Sequence, residues 1–375
     1  MNCPACAEAA KFQRWQPKTV VSALGSVRLE RAYYYCRHCG HGHCPWEAIL
    51  GLTGQDLTPA ASELTSLAGL LSSFEEASQK VLPKLAGIRL SESTAERTTE
   101  AVGERLGTAL QQGATLGPAR PWDWQADATG QRCAYVSVDA TGVGQQGPHG
   151  EKVEGRMAWV GMVFNARDQG PCQARYLAGL QTLDELGLQL RHQAGQVGMD
   201  AADVWVALTD GGAGLEEFMQ TNFPRAICIL DFFHAAEHLN ELAKAWQPHD
   251  EEQARELGRQ WCHQLKHEGG QAVLTVLKQL DLRGRSSAAR EVHRSVVQYV
   301  ENNVHRMDYP RYRANGWLIG SGHIEAACKT VVGQRLKGAG MRWSADGADA
   351  VCHLRALFKS ESAQWETFWH SRAAA

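Results

Sequence analysis

The chain has 375 residues, 44% hydrophobic and 21% charged, with a formal net charge of −3. That length exceeds one typical domain, and the composition is ordinary for a globular protein and excludes a disordered one. No stretch approaches the roughly 20 apolar residues that span a bilayer, and Met1-Asn2-Cys3 opens without a charged-then-apolar leader, so a cytoplasmic protein with no membrane partner is expected.

Residues 1–50 hold Cys3-Pro4-Ala5-Cys6 and Cys36-Arg37-His38-Cys39, with an alternating run from Thr19 to Tyr35 between them. Paired CxxC spacing in a cytosolic chain favours metal over disulfide, and two knuckles joined by a hairpin predict a zinc ribbon. So small a unit lacks the core to fold alone, and Zn²⁺ bound by Cys3, Cys6, Cys36 and Cys39 would contribute its folding energy. Cys44, His38, His41 and His43 lie close enough to replace one ligand, so the ligand set stays open.

Residues 55–112 turn helical, with Leu64, Leu67, Leu70 and Leu71, then Val81, Leu82 and Leu85, at helical spacing. Gly87-Ile88-Arg89-Leu90 breaks the pattern, and Ser91-Glu92-Ser93-Thr94 offers a cap for a helix ending near Leu106. Helix, turn, capped helix is the outline of a DNA-binding helix-turn-helix, and equally that of any small helical bundle. The Gly- and Pro-containing stretch 113–121 reads as a linker.

Strands are expected at 134–139, 157–164 and 173–177, a helix at 182–197, a strand at 204–209, a helix at 215–223 and a strand at 226–230. This β-β-β-α-β-α-β order predicts an α/β fold with a ribonuclease-H-like mixed sheet over residues 130–234. A helical insertion over 235–315 interrupts it. Gly316-Trp317-Leu318-Ile319-Gly320-Ser321-Gly322 ends the insertion, and residues 316–360 return to the core, with 323–336 as its last helix.

Three expected strands end on an acid: Asp139, Asp210 and Asp231. Strand ends are where open α/β sheets bind ligands. Phosphodiester cleavage at neutral pH needs carboxylates that hold two divalent ions about 4 Å apart, and hard oxygen ligands select Mg²⁺ or Mn²⁺. Glu325, one turn into the helix after the glycine-rich break, is the further acid expected. Lys329, Arg335, Lys337 and Arg342 form a basic run able to grip DNA phosphates. Each acid taken alone has a plainer reading, as a turn-former, a cap or a surface group. Trp246, Trp261 and Trp317 suit base stacking, although Trp at helical spacing is more often core.

Ser137-Val138-Asp139-Ala140-Thr141-Gly142, Leu208-Thr209-Asp210-Gly211-Gly212 and Gly320-Ser321-Gly322-His323-Ile324-Glu325-Ala326 resemble the motifs of DDE transposases of bacterial insertion sequences, nearest to the ISKra-type group. More distantly they resemble mutator-like and hAT-like enzymes with a helical insertion before the final glutamate. The resemblance covers residues 136–358. It implies that Asp139, Asp210 and Glu325, separated by 71 and 115 residues, are the metal-binding triad. Asp231-Phe232-Phe233-His234 matches a further signature of these families, which makes His234 a catalytic candidate; a core histidine capping the following helix is the plainer alternative. The resemblance implies metal-dependent cleavage of double-stranded DNA at element ends and strand transfer into target DNA, by at least a homodimer because two ends must meet. Two alternatives stay open: a nuclease of the same fold without strand transfer, and a transposase-derived DNA-binding protein without activity.

Overall fold

The computed structural model describes residues 1–52, 56–166 and 172–373; the first residue of the expected helical unit, 55, and residues 167–171 of the expected core lie outside the described residues. It is a mixed α/β structure with two sheets.

The first sheet is a long hairpin of β1 (Ala10–Ser22) and β2 (Gly25–Cys36), extended by the short β3 (Gly42–His43). Both strands exceed the alternating run seen in the sequence, because their pairing runs the whole way from Ala10–Cys36 to Ser22–Gly25. A bulge between Phe12 and Arg14 re-aims β1. One face is covered by α1 (Pro45–Ile49), whose Glu47 receives Lys18 at 2.9 Å and also Arg31.

Next come α2 (Pro59–Leu71), α3 (Phe74–Glu76), a π-helical turn at Ala77–Val81, α4 (Leu82–Leu85) and α5 (Glu92–Gln111). Ser91 caps α5 as expected, its Oγ accepting from the Thr94 N–H at 3.2 Å. These helices bury one cluster of their own, Leu57, Ala61, Ala68, Ala77, Leu82 and Ile88. Leu70, Phe74, Val102, Leu106 and Leu110 are buried in the same core as the large sheet and join the two.

The large sheet has the order β6-β5-β4-β7-β8. Here β4 (Cys133–Gln146), β5 (Lys152–Asn165) and β6 (Gln173–Gly179) form an antiparallel meander, and β7 (Val204–Thr209) and β8 (Ile227–Leu230) add parallel to β4. Between the later strands lie α6 (Leu183–Gln196) and α7 (Leu215–Asn222). The strand β4 continues seven residues past its expected end, because Ala140–Gln146 pairs with the first half of β5. Asp139 therefore stands within a strand, at the level where its parallel neighbour stops.

The interrupting helices are α8 (Phe232–Trp246), α9 (Glu251–Glu268), α10 (Gly270–Lys278), α11 (Ser287–Asn303) and α12 (Tyr309–Ala314). The chain returns through α13 (Gly322–Ala327), a π-helical segment at Cys328–Gly333 and α14 (Gln334–Leu336), then adds α15 (Ala345–Lys359) and α16 (Ser362–Ala373), two helices the sequence pattern did not separate. α15 packs along β6 and against α5.

The contact between α5 and α15 is close enough to require glycine. A Cβ on Gly103 would stand 2.2 Å from the carbonyl oxygen of Ala350. Ala in a helix interior is favoured over Gly by about 1 kcal/mol, but overpacking against backbone typically costs about 1–3 kcal/mol, and at this distance the clash wins. Gly103→Ala is expected to lower the urea midpoint of unfolding, with a net loss of at least about 1 kcal/mol; an unchanged or raised midpoint would show that these helices do not meet here.

Candidate functional site

Strand register brings the expected acids to one edge. Ser137 pairs with Leu208 and Thr209 with Leu230, so Asp139, Asp210 and Asp231 stand level at the C-terminal ends of the parallel trio. With Val138, Phe233, His234, Glu237, Ser321, Ile324 and Glu325 they line a cleft of about 250 Å³.

Asp139 is half-buried. Its Oδ1 accepts from the Ala140 N–H at 2.7 Å, and its Oδ2 faces the buried Cys328 thiol at 3.4 Å. Burial raises its pKa above the usual carboxylate range, and the like charges of Asp210 and Glu325 add to the rise. Asp210 opens a tight turn, with Oδ1 accepting from the Gly212 N–H at 2.9 Å. The glycines of that turn are sterically demanded: a Cβ on Gly211 would lie 2.6 Å from the Tyr299 ring, and one on Gly212 would lie 2.8 Å from Asp210 Oδ1. Glu325 is exposed, and its Oε1 accepts from Ser321 Oγ at 2.7 Å.

Asp231, the further metal ligand expected, lines the same cleft but is buried and more heavily engaged than the other acids: Oδ1 accepts from the N–H of Phe233 (3.1 Å) and of Ser321 (3.1 Å), and Oδ2 from the N–H of His234 (3.2 Å). Ser321 Oγ lies 2.9 Å from Asp231 Oδ2 and 2.7 Å from Glu325 Oε1, and its one hydrogen serves one of the two at a time. Asp231 is the N-cap of α8 and the clamp on the returning chain.

His234 opens on the cleft. Its ring lies 5.2 Å from His238 and 6.3 Å from Tyr299, centroid to centroid, with Nδ1 3.8 Å from Glu237 Oε2. Burial and the neighbouring His234 lower the pKa of His238.

The basic run divides. Lys329, Lys337 and Arg342 are exposed, and Lys337 Nζ donates to Thr141 Oγ1 on β4. Arg335 is buried instead, its guanidinium 4.6 Å from the Phe74 ring and 4.7 Å from the Trp343 ring, with Nε donating to the Gly69 carbonyl at 2.6 Å. Burial lowers its pKa to about 10. It is therefore a core residue without access to DNA. Trp246, Trp261 and Trp317 are likewise buried and not free to stack on bases.

The expected helix-turn-helix has a related difficulty. Glu92, Glu96, Glu100 and Glu104 recur every fourth residue along α5 and put an acidic stripe on one face, which repels phosphate rather than seating it.

Sequence reasoning missed Ser321, Cys328 and Tyr299, which hold or flank the acids. For Ser321 a signal existed, since it stands four residues before Glu325 in a helix-starting position.

At the other end of the molecule, Cys3, Cys6, Cys36 and Cys39 place their sulfurs within 4.8 Å of one another, the sole such group of three or more metal-ligand side chains among the described residues. The Cys3–Cys39 and Cys6–Cys36 sulfur pairs are 3.6 Å apart. Four Zn–S bonds of about 2.3 Å in a tetrahedron imply about 3.8 Å, so the cluster fits Zn²⁺. The backbone N–H of Cys39 leads in lowering the Cys36 thiol to about 7, against burial, and the N–H of His38 adds to it. Cys44 and the histidines stay outside the group.

Two outcomes are expected. Purified chain retains one zinc, and Cys36→Ser loses it together with protease resistance of residues 1–50; full zinc content in that variant would remove the cluster as the ligand set. For Asp139 the folded pKa lies above the unfolded one, so the native state binds the extra proton and loses stability as pH rises through that interval. In metal-free buffer Asp139→Asn should therefore melt higher than wild type at pH 7 and lose that advantage below about pH 4. A lower melting temperature at pH 7 would mean that the carboxylate is structural.

No protein-family model and no curated protein matches this chain.

Proposed function

We propose that this chain is a DDE transposase on a ribonuclease-H-like core, cleaving DNA at element ends and joining the freed ends to target DNA. The observation that carries the reading is the meeting of Asp139, Asp210 and Glu325, from two parallel strand ends and a helix that follows a 90-residue excursion, at one open cleft. The β-β-β-α-β-α-β order with the first strand in the centre of the sheet supports the same fold.

The donor set is of the type a hard cation selects, although its oxygens do not lie within 4.8 Å of one another as the cysteine sulfurs do. All three groups are carboxylates, they repel one another, and Asp139 shows the raised pKa that an opposite charge would relieve. Magnesium or manganese, when bound, supplies the Lewis acidity and charge neutralisation that phosphodiester cleavage needs at neutral pH. Asp139, Asp210 and Glu325 would hold it.

The remaining residues position. The Ala140 N–H, the Gly212 N–H and Ser321 Oγ each fix one oxygen of a triad carboxylate. His234, on the cleft wall, can donate to a phosphate oxygen of the strand. Lys337, Lys329 and Arg342 lie exposed beyond the triad and are placed to neutralise the backbone. Cleavage forms a bond from phosphorus to the oxygen of water, breaks the P–O3′ bond and leaves a 3′ hydroxyl. That hydroxyl then attacks a target phosphorus, forming a new P–O3′ bond as the target's own P–O3′ bond breaks and its 3′ oxygen leaves as a hydroxyl with the proton given up by the attacker, and geometry held by the chain supplies the in-line approach. Two DNA ends require a second copy of the chain.

With supercoiled plasmid bearing candidate element ends and Mg²⁺ or Mn²⁺, wild type is expected to nick and to give joined products. Asp139→Asn should lose at least about 100-fold of the nicking, since even groups that merely support a ligand are worth 10- to 100-fold. Full nicking by the variant would overturn the triad; nicking without joined products would select a nuclease; DNA binding with no cleavage would select a binding protein.

A further inference from the structure

The helical insertion sends one side chain back to the triad. Tyr299 of α11 lies with its ring against the turn that Asp210 opens. A Cβ on Gly211 would stand 2.6 Å from Cε2 of that ring, 2.9 Å from its hydroxyl oxygen and 3.1 Å from Cζ, so the backbone next to Asp210 touches the phenol end of the side chain. The same ring packs on His238, 4.1 Å between centroids, with His234 at 6.3 Å. It fills the space between α8 on the cleft wall and the strand end that carries Asp210.

Packing explains the ring and leaves the hydroxyl unexplained. Its oxygen is buried and has no hydrogen-bond partner among the described residues. Such groups are few in folded proteins, because the bonds to water lost on burial are not replaced. Phenylalanine would fill the same space against Gly211 and His238 without that loss, so the hydroxyl costs the free chain stability and suits an acceptor that comes into place with a ligand. Burial first, then the charges of Asp210, Asp231 and Glu237, raise its pKa well above the usual tyrosine range against the opposing charge of Arg306, so it stays a donor. Of those three acids, Asp210 is the one with an oxygen to spare beside the ring. Both oxygens of Asp231 accept backbone N–H bonds, and the Glu237 side chain is 75% exposed. Among the described residues Asp210 engages only Oδ1, with the Gly212 N–H.

The triad oxygens are not within 4.8 Å of one another, so the acids must draw together to share an ion. A carboxylate that ligates a metal is in turn held by a hydrogen bond from behind, which fixes its orientation. We infer that Tyr299 is a positioning residue of this site, its hydroxyl donating to Asp210 when that carboxylate engages a divalent cation. The cation at the triad rests on the proposed function; the unpartnered hydroxyl at the Asp210 turn does not.

The test reads metal affinity and stability rather than cleavage. Mn²⁺ is titrated into the full, zinc-loaded chain without DNA, and the free ion is followed by its EPR signal for wild type, Asp139→Asn and Tyr299→Phe; each protein is also melted without added Mn²⁺. Expected is Mn²⁺ binding that Asp139→Asn removes and that Tyr299→Phe weakens roughly 10- to 100-fold, while Tyr299→Phe melts at or above the wild-type temperature when no Mn²⁺ is present. Binding of wild-type strength in Tyr299→Phe, with Asp139→Asn still abolishing it, overturns the inference and leaves the triad standing. Wild-type binding that is absent or indifferent to Asp139→Asn removes the triad as the metal site and the inference with it. A melting temperature below wild type for Tyr299→Phe without Mn²⁺ would make the hydroxyl a structural group and overturn the inference as well.

Discussion

One buried carboxylate holds the large domain in register. Asp231 ends the last parallel strand, caps α8 with one pair of hydrogen bonds and grips Ser321 with another. The helical excursion thus leaves the sheet and returns to it at the same side chain, and the Phe232 N–H to Ile319 carbonyl bond of 2.8 Å closes it again beside that point. So deep a carboxylate is tolerated because both of its oxygens accept backbone N–H bonds. Ser321 links it to Glu325, since its one hydroxyl lies within hydrogen-bond reach of both carboxylates.

Much of this was legible in the residues. The strand at Val204–Thr209 falls where a bounded apolar run demanded it, and the acids at three expected strand ends reach one edge. What sequence could not weigh was competition for each side chain. Asp231 looks like a ligand until Ser321, 90 residues on, claims it. Arg335 reads as one of four surface cations, yet it shares a helix face with Val331 and Val332 and meets Phe74 and Trp343 inside. The end of β4 was misplaced because its continuation depends on pairing with β5, and Ala140-Thr141-Gly142 looks like a turn when read alone.

Two buried arginines explain why the first helices do not stand apart. Arg335 donates to the carbonyl of Gly69, and Arg355 to the carbonyls of Leu70, at 2.6 Å, and Thr330. They satisfy the open carbonyl end of α2 and carbonyls of the π-helical segment together, as cations at a helix C-terminus do. The sequence separates these partners by more than 260 residues, which is why a small independent bundle seemed the natural reading.

The π-helical segment at Cys328–Gly333 also sets the phase of the returning helix. Its far side is anchored by the buried Val331, Val332 and Leu336, and its near side carries Glu325. A π turn holds one residue more than the α-helix around it, and each helical residue accounts for about 100° of rotation. Ser321 meets Glu325 through ordinary one-turn spacing, but the angle between that acid and the buried anchor of Val331, Val332 and Leu336 includes the surplus residue. Shortened by one position, the same helix could stay packed on the core and aim its carboxylate elsewhere, so the orientation of the acid is a matter of residue count as much as of residue type.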